Sequence, residues 1–270
     1  MTIDFSDIAA EYEKHAVVQK SASEILLKLL NIGDNDDVLD LGCGTGSLAR
    51  KIRGITKGRV VGIDPSPLMI KEAIKKSVGL DITYEVISAE ELNYKESFDV
   101  IVCNSAFQWF RDPRKSIQNC YEALRYGGRI GIQAPAGNNY CPNFIRAVEA
   151  VREDERTRDM FLYFKNPWFL LESEDEYKKL FESAGFRVGF SVIEKVVSRH
   201  TPEEVLKIFM SGAAAGYLNQ RYYNVKISGE YIDAFVNIVK ESFEKQAEND
   251  GMVKLEFNRL FLIGVKEGGK

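Results

Sequence analysis

The sequence predicts an α/β protein: a doubly wound, mostly parallel seven-stranded sheet with a helical cap over its site. Three observations carry this. Short apolar runs alternate with helical patterns from residue 37 onward, a rhythm that produces parallel strands joined by crossover helices. The runs are continuous rather than alternating, so the sheet has both faces covered. A glycine-rich turn, Gly42-Cys43-Gly44-Thr45-Gly46, joins the first run to the first helix.

Residues 4 to 31 have apolar positions at helical spacing (Ile25, Leu26, Leu29, Leu30) and stop at Asn31-Ile32-Gly33, so residues 1–33 read as an N-terminal helical arm. The core, 34–135, follows as strand Asp37 to Leu41, helix Ser47 to Arg53, strand Arg59 to Ile63 and helix Pro67 to Lys76. Strands Thr83 to Ile87 and Phe98 to Cys103 come next, then helix Pro113 to Arg125, the turn Tyr126-Gly127 and strand Gly128 to Gln133. Between 136 and 171 the strand rhythm gives way to an aromatic-rich segment (Phe144, Phe161, Tyr163, Phe164, Trp168, Phe169), read as a helical insertion. The core resumes over 172–198 with helix Glu174 to Ala184, which breaks at Gly185, and the extended stretch Phe186 to Ser198. Helices Pro202 to Gly212 and Gly229 to Lys245 form a second cap segment, 199–254. Strand Leu255 to Val265 closes the chain, within 255–270.

Composition bounds the function. The 270 residues are 45% apolar and 28% charged, typical of globular proteins with a sizeable core. The net charge is −4 and the basic residues are scattered, which disfavours a polyanionic nucleic-acid partner. Apolar runs such as Leu260-Phe261-Leu262-Ile263 are strand-sized, far from a membrane span, and the first residues lack a secretion signal, so a cytoplasmic protein without a membrane partner is expected. The four cysteines, Cys43, Cys103, Cys120 and Cys141, form no C-x-x-C pair and suit buried reduced thiols; neither a zinc site nor a disulfide framework is expected.

The glycine loop decides the ligand. In a doubly wound sheet the crevice lies at the carboxyl ends of the strands, and glycines let a ligand approach the backbone. A dinucleotide loop normally reads G-x-G-x-x-G, with its pyrophosphate on the helix N-terminus. Here the spacing is G-x-G-x-G, and Asp40, two residues before the first glycine, would repel a diphosphate and attract an ammonium group. Asp64, 24 residues after Asp40, ends the second strand where a carboxylate can accept both ribose hydroxyls. Two carboxylates thus bracket one phosphate-free nucleoside. S-adenosylmethionine (SAM) has an ammonium and no phosphate. The plain alternatives are a tight turn without ligand and, for Asp40 alone, a helix cap.

With these residues the chain resembles the class I SAM-dependent methyltransferases, whose motif V-L-D-L-G-C-G-T-G reads unchanged over Val38 to Gly46. The resemblance extends to V-V-G-I-D-P-S-P-L-M-I (Val60 to Ile70), S-F-D-V-I-V-C-N (Ser97 to Asn104) and L-R-Y-G-G-R-I (Leu124 to Ile130), and implies a Rossmann-like fold. It gives Asp40, Gly42 and Gly44 the methionine part of SAM and Asp64 the ribose, with Cys43 and Pro65 as further cofactor-binding positions. Met69 becomes the apolar wall against adenine, with ordinary helix core as its plain alternative. Ser88 stands where relatives usually carry an aspartate for the adenine amino group, leaving the Ala89 backbone as a substitute and Glu90 beside it. Asn104 and Ser105 fall where the family places residues beside the reacting sulfonium, and Tyr12 is expected to close over the cofactor.

A narrower resemblance, to trans-aconitate and malonyl-carrier-protein carboxyl methyltransferases and more remotely to juvenile hormone acid methyltransferase, rests on three segments. They are Ile8 to Ala16, Asn104-Ser105-Ala106-Phe107-Gln108-Trp109, and Asp250 to Phe261. It implies a carboxylate acceptor, oriented by the neutral donors of Gln19 and Trp109. Core packing beside Phe107 and Phe110 is the alternative for Trp109, and a solvated helix face for Gln19. A carboxylate is ionised at neutral pH and needs no general base, which suits a chain whose only histidines are His15 and His200. His15 is a candidate for orienting the acceptor or for a surface role. The small and aromatic residues Gly212 to Tyr217 and Tyr222-Tyr223 suggest an apolar pocket, or equally a helix-packing seam. Three other readings stay open at this stage: another small-molecule oxygen, nitrogen or carbon acceptor, a SAM-binding protein without turnover, and an NAD-dependent oxidoreductase on the same fold.

Overall fold

The computed structural model describes residues 17–268, with side chains from residue 22 onward. The chain divides into two compact units. One holds residues 17–138, 168–194 and 259–268; the other holds 139–167 and 195–258.

The first unit is built on a seven-stranded sheet in the order β3-β2-β1-β4-β5-β7-β6. The strands are β1 (Val38–Leu41), β2 (Val60–Asp64), β3 (Thr83–Val86), β4 (Phe98–Asn104), β5 (Leu124–Pro135), β6 (Arg187–His200) and β7 (Val253–Val265). β1 to β5 are mutually parallel, and β7 returns antiparallel against β5. The order reverses at β1, and there two successive crossovers leave a crevice at the carboxyl edge. Seven strands, mostly parallel with helices on both sides, agree with the sequence expectation.

Alternation along β1 explains its continuous apolar run. Leu39 and Leu41 pack with Ile117, Cys120, Tyr177 and Phe181, which belong to α4 (Pro113–Ala123) and α7 (Glu174–Glu182). Val38 packs on the opposite face with Ala22, Leu26 and Leu30 of α1 (Val17–Leu30), and with Ala49 and Ile52 of α2 (Ser47–Arg53). Both faces are dry, so every position is apolar except Asp40, which is 1% exposed. α3 (Pro67–Lys76) begins at a Ser66 N-cap with Pro67 at its first position, where the missing N–H costs nothing.

The boundary between α4 and β5 differs from the sequence expectation. The helix read to Arg125 ends at Ala123, and β5 starts at Leu124, before the expected turn. The cause lies in the Arg125 side chain. It is drawn across the amino edge of the sheet to donate to Asp37 and Asp99, each at 2.7 Å, while Gly127 N–H donates to Lys266 O at 2.7 Å. Those partners are far away in sequence, and the local periodicity contains no trace of them.

The second unit contains α5 (Pro142–Glu153), α6 (Arg158–Phe161), α8 (Pro202–Ser211), α9 (Ala214–Tyr217) and α10 (Gly229–Lys245). Its core is aromatic: Phe144, Phe209, Tyr217, Phe235 and Phe243 meet edge-on, tilted or stacked. Tyr223 donates to Tyr217 O at 2.7 Å and shares a hydrogen bond with the Tyr231 hydroxyl, so the buried phenols are satisfied. Among the described residues no helix is long and apolar enough to cross a membrane.

Candidate cofactor site

The ends of β1, β2, β3 and β4 share one edge because the four strands are parallel and in register: Asp40 pairs with Gly62 and Val102, and Asp64 with Val86. This edge brings together the loops that carry the sequence-derived residues. Gly42 and Cys43 both donate their N–H to Ile63 O at 2.9 Å, which folds the glycine loop over the end of β2. Gly42 and Gly44 adopt φ of 76° and 52°, conformations natural only to glycine. A Cβ on Gly42 would run into Ala106, whereas one on Gly44 would project into open space. The first glycine therefore admits the neighbouring loop, and the second leaves room for a ligand.

Asp40 is the most perturbed carboxyl of the edge. Burial pushes it up to about 7, against a backbone hydrogen bond from Ala49 that lowers it, and the Asp64 charge raises it further. Its Oδ2 is buried without a hydrogen-bond partner. Asp64 is also raised, by burial, although Ser66 N–H donates to one of its oxygens at 2.9 Å and Gly44 N–H to the other at 3.0 Å. Asp64 thus holds the glycine loop as well as standing at the end of β2. The Cys43 thiol is pushed well above its ordinary value by burial, with the two carboxylates adding to it, so it is not a nucleophile.

The remaining positions sort by what they touch. Met69 is buried on α3 and donates its N–H to Ser66 Oγ at 3.4 Å; Pro65 beside it is exposed. Ser88 caps a short turn, its hydroxyl donating to Glu91 at 2.8 Å, and Ala89 is buried. Glu90 is not simply solvated: its carboxylate accepts from Arg111 N–H at 2.7 Å, and its carbonyl from Asn119 at 3.0 Å. Asn104 ends β4 with its Oδ1 buried and unpartnered. Ser105 follows in a left-handed conformation. Trp109 is half-buried, its ring 5.6 Å from that of Trp168, while Phe107 packs edge-on with Phe110 and Phe169. Tyr12 and His15 lie outside the described residues, as does the side chain of Gln19, whose backbone is in the first turn of α1. His200 is in the second unit, bonded to Ser198 Oγ at 2.9 Å.

A family model described as a methyltransferase domain matches residues 38–128, the stretch that contains all of this edge. An uncharacterized methyltransferase of Schizosaccharomyces pombe is 32% identical over 196 residues, covering 67% of this chain and 71% of that protein. The chain belongs to the class I SAM-dependent methyltransferases. Malonyl-acyl-carrier-protein O-methyltransferase of Hahella chejuensis is 34% identical over 128 residues, 47% of this chain and 46% of that protein, so this methyltransferase spans about half the length of that relative. The YcgJ protein of Bacillus subtilis superposes with a TM-score of 0.61 at 17% identity, over 93% of this chain and 100% of that one, a likeness of fold.

The residues of this methyltransferase fit SAM: its ammonium would supply a donor to Asp40 Oδ2, a buried acceptor that has none, and the open side of Gly44 would give its backbone room. A diphosphate would meet the Asp40 carboxylate as a like charge.

Some residues of the edge carry no signal in a local reading. Tyr84 of β3 stands against Gly46 and Gly62, either of which would collide with it if given a Cβ, and its hydroxyl bonds Ser77 Oγ at 2.8 Å. Gln133 is 3% exposed and accepts from Ser105 Oγ at 2.8 Å. Its one visible signal is a polar residue near the end of an apolar strand. Trp168 stood out only as one of several aromatic residues.

Proposed function

We propose that this methyltransferase moves the methyl group of SAM to a carboxylate oxygen of a small molecule. The observation that carries the acceptor class is the likeness to malonyl-acyl-carrier-protein O-methyltransferases over 128 residues. SAM supplies an electrophilic methyl on a sulfonium; the bond from sulfur to methyl breaks as the bond from oxygen to methyl forms, leaving a neutral thioether and an ester. A carboxylate brings its own electron pair, so the chain has only to orient it and exclude water, and alignment of this kind lowers a barrier by roughly 7 to 11 kcal/mol.

The roles follow by resemblance, joined for the described residues by their position on or near the edge. Asp40, Gly42 and Gly44 hold the methionine part and Asp64 the ribose, with Cys43 and Pro65 as neighbouring cofactor-binding positions, and Met69, Ser88, Ala89 and Glu90 surround the adenine. Asn104 and Ser105 stand beside the sulfonium and Tyr12 covers it. Trp109, half-buried beside Trp168, and Gln19 orient the acceptor through neutral donors, with His15 as a further candidate. Neutral donors hold a carboxylate without quenching its nucleophilicity as a salt bridge would.

The test is a panel of small carboxylic acids, amines and phenols incubated with SAM and read by mass spectrometry for a gain of one methyl. Ester products among the acids support the proposal. Methylation confined to amines or phenols removes the carboxylate.

A further inference from the structure

Ser105 is not glycine, yet its φ is 56°, in the region an L-residue disfavours. Strain of this kind persists only where the surroundings over-determine it. Here every polar group of the residue is occupied. Ser105 N–H donates to Gln133 O at 2.8 Å, its Oγ donates to Gln133 Oε1 at 2.8 Å, and its carbonyl accepts from Gln108 Nε2 at 2.9 Å. Both glutamines are buried, at 3% and 7% exposure, in a setting where an unneeded amide is costly. The bond from Gln108 also fixes which end of its amide is which, because the nitrogen is the atom on the Ser105 carbonyl.

What the clamp holds is a loop rich in acceptors. Asn104 Oδ1 and Gln108 Oε1 flank Ser105, and both are buried without a donor. Ala106, the next residue, packs where a Cβ of Gly42 would go, so the loop lies directly against the glycine turn. Asn104 also pairs with Gln133 across β4 and β5, placing the clamp at the carboxyl edge. Oxygens that lack donors lower the energy of a nearby positive charge and oppose nothing neutral.

We infer that Gln133 and Gln108 are positioning residues: by clamping Ser105 in its left-handed conformation they hold the Asn104–Gln108 loop against the sulfonium end of the cofactor. This rests on SAM occupying the glycine-loop edge. The loop then distinguishes the charged sulfonium from the neutral thioether left after transfer, which favours binding of the substrate form and departure of the product form.

Calorimetric titration with SAM and with S-adenosylhomocysteine separates a positioning role from a purely structural one. In Gln133→Leu, SAM affinity is expected to fall about tenfold, about the size of the one hydrogen bond lost from the clamp, while S-adenosylhomocysteine affinity changes by less than about threefold. Adding Ser105→Gly, which adopts the left-handed conformation without a clamp, is expected to restore most of the lost SAM affinity. Gln108→Leu is expected to shift the ratio of the two affinities in the same direction, and it decides the matter if Gln133→Leu does not fold. Equal weakening of both nucleosides in the variants, or no recovery in the double variant, overturns the inference and leaves the cofactor assignment standing. Failure of the parent protein to bind either nucleoside overturns both.

Discussion

Asp40 carries two consequences at the scale of a single side chain. Its carboxyl is raised to about 7 in the fold from an ordinary 3.8, chiefly by burial. A raised acid costs nothing below its unfolded value, where both states are protonated, and opposes folding increasingly as pH climbs toward the folded value. Asp40→Asn is therefore expected to melt with the parent near pH 4 and several degrees above it at pH 8, by thermal unfolding followed on intrinsic fluorescence. On the proposed cofactor assignment the same variant also loses the charge that would receive the SAM ammonium. The parent's SAM affinity should rise between about pH 6 and 8 as Asp40 ionises, and the variant's should follow a flatter course over that window. Asp64 behaves differently because its oxygens already accept from Gly44 and Ser66. Asp64→Ala removes the tether of the glycine loop together with the proposed ribose contact, and should weaken SAM binding by tenfold or more. Unchanged affinity in a titration would exclude the ribose role.

Among the elements, β2 and β3 are fitted to each other through one ring. Tyr84 fills the space beside Gly62 and Gly46, so Gly62→Ala must push the ring or the strand aside. Overpacking of this sort costs typically 1 to 3 kcal/mol. Urea denaturation should show a loss of that size in Gly62→Ala and a smaller one when Tyr84→Leu is already present, since the two changes share one space. At the opposite edge of the sheet, Arg125 joins Asp37 and Asp99, tying β1, β4 and β5 together. Burial raises the Asp37 carboxyl, but the Arg125 bond and the Arg59 backbone N–H outweigh it and leave it below its ordinary value. A lowered acid stabilises the fold above its unfolded value and gives that up as pH falls through the folded one. The helices are fixed by their own ends: Ser173 and Glu176 form a capping box at α7. This clamp places Tyr177 and Phe181 against Phe107, just before Gln108.

At the scale of the whole molecule the cofactor is a stabiliser by mass action. SAM at a hundred times its Kd should add about 2.7 kcal/mol to the folded state of the unit it occupies, and the melting temperature should rise with SAM concentration. NAD should leave it unmoved, because the glycine edge presents carboxylates where a diphosphate would have to sit. A shift with NAD equal to that with SAM would return the chain to the oxidoreductase reading.

The sequence by itself determined the sheet, the glycine loop and the two carboxylates beside it. These are local features: an apolar run, a helix start and a turn that needs left-handed backbone are each written within a few consecutive residues, and the Asp40 to Asp64 spacing follows from one β-α-β unit. The tertiary structure decided the rest. That Arg125 belongs to a strand, that Tyr84 backs the glycine loop, that Glu90 holds the chain at Arg111, and that Gln133 and Gln108 clamp Ser105 all depend on partners brought together by folding. The Asp40 shift has the same origin, because burial is a property of everything packed around a carboxyl and no stretch of residues encodes it alone.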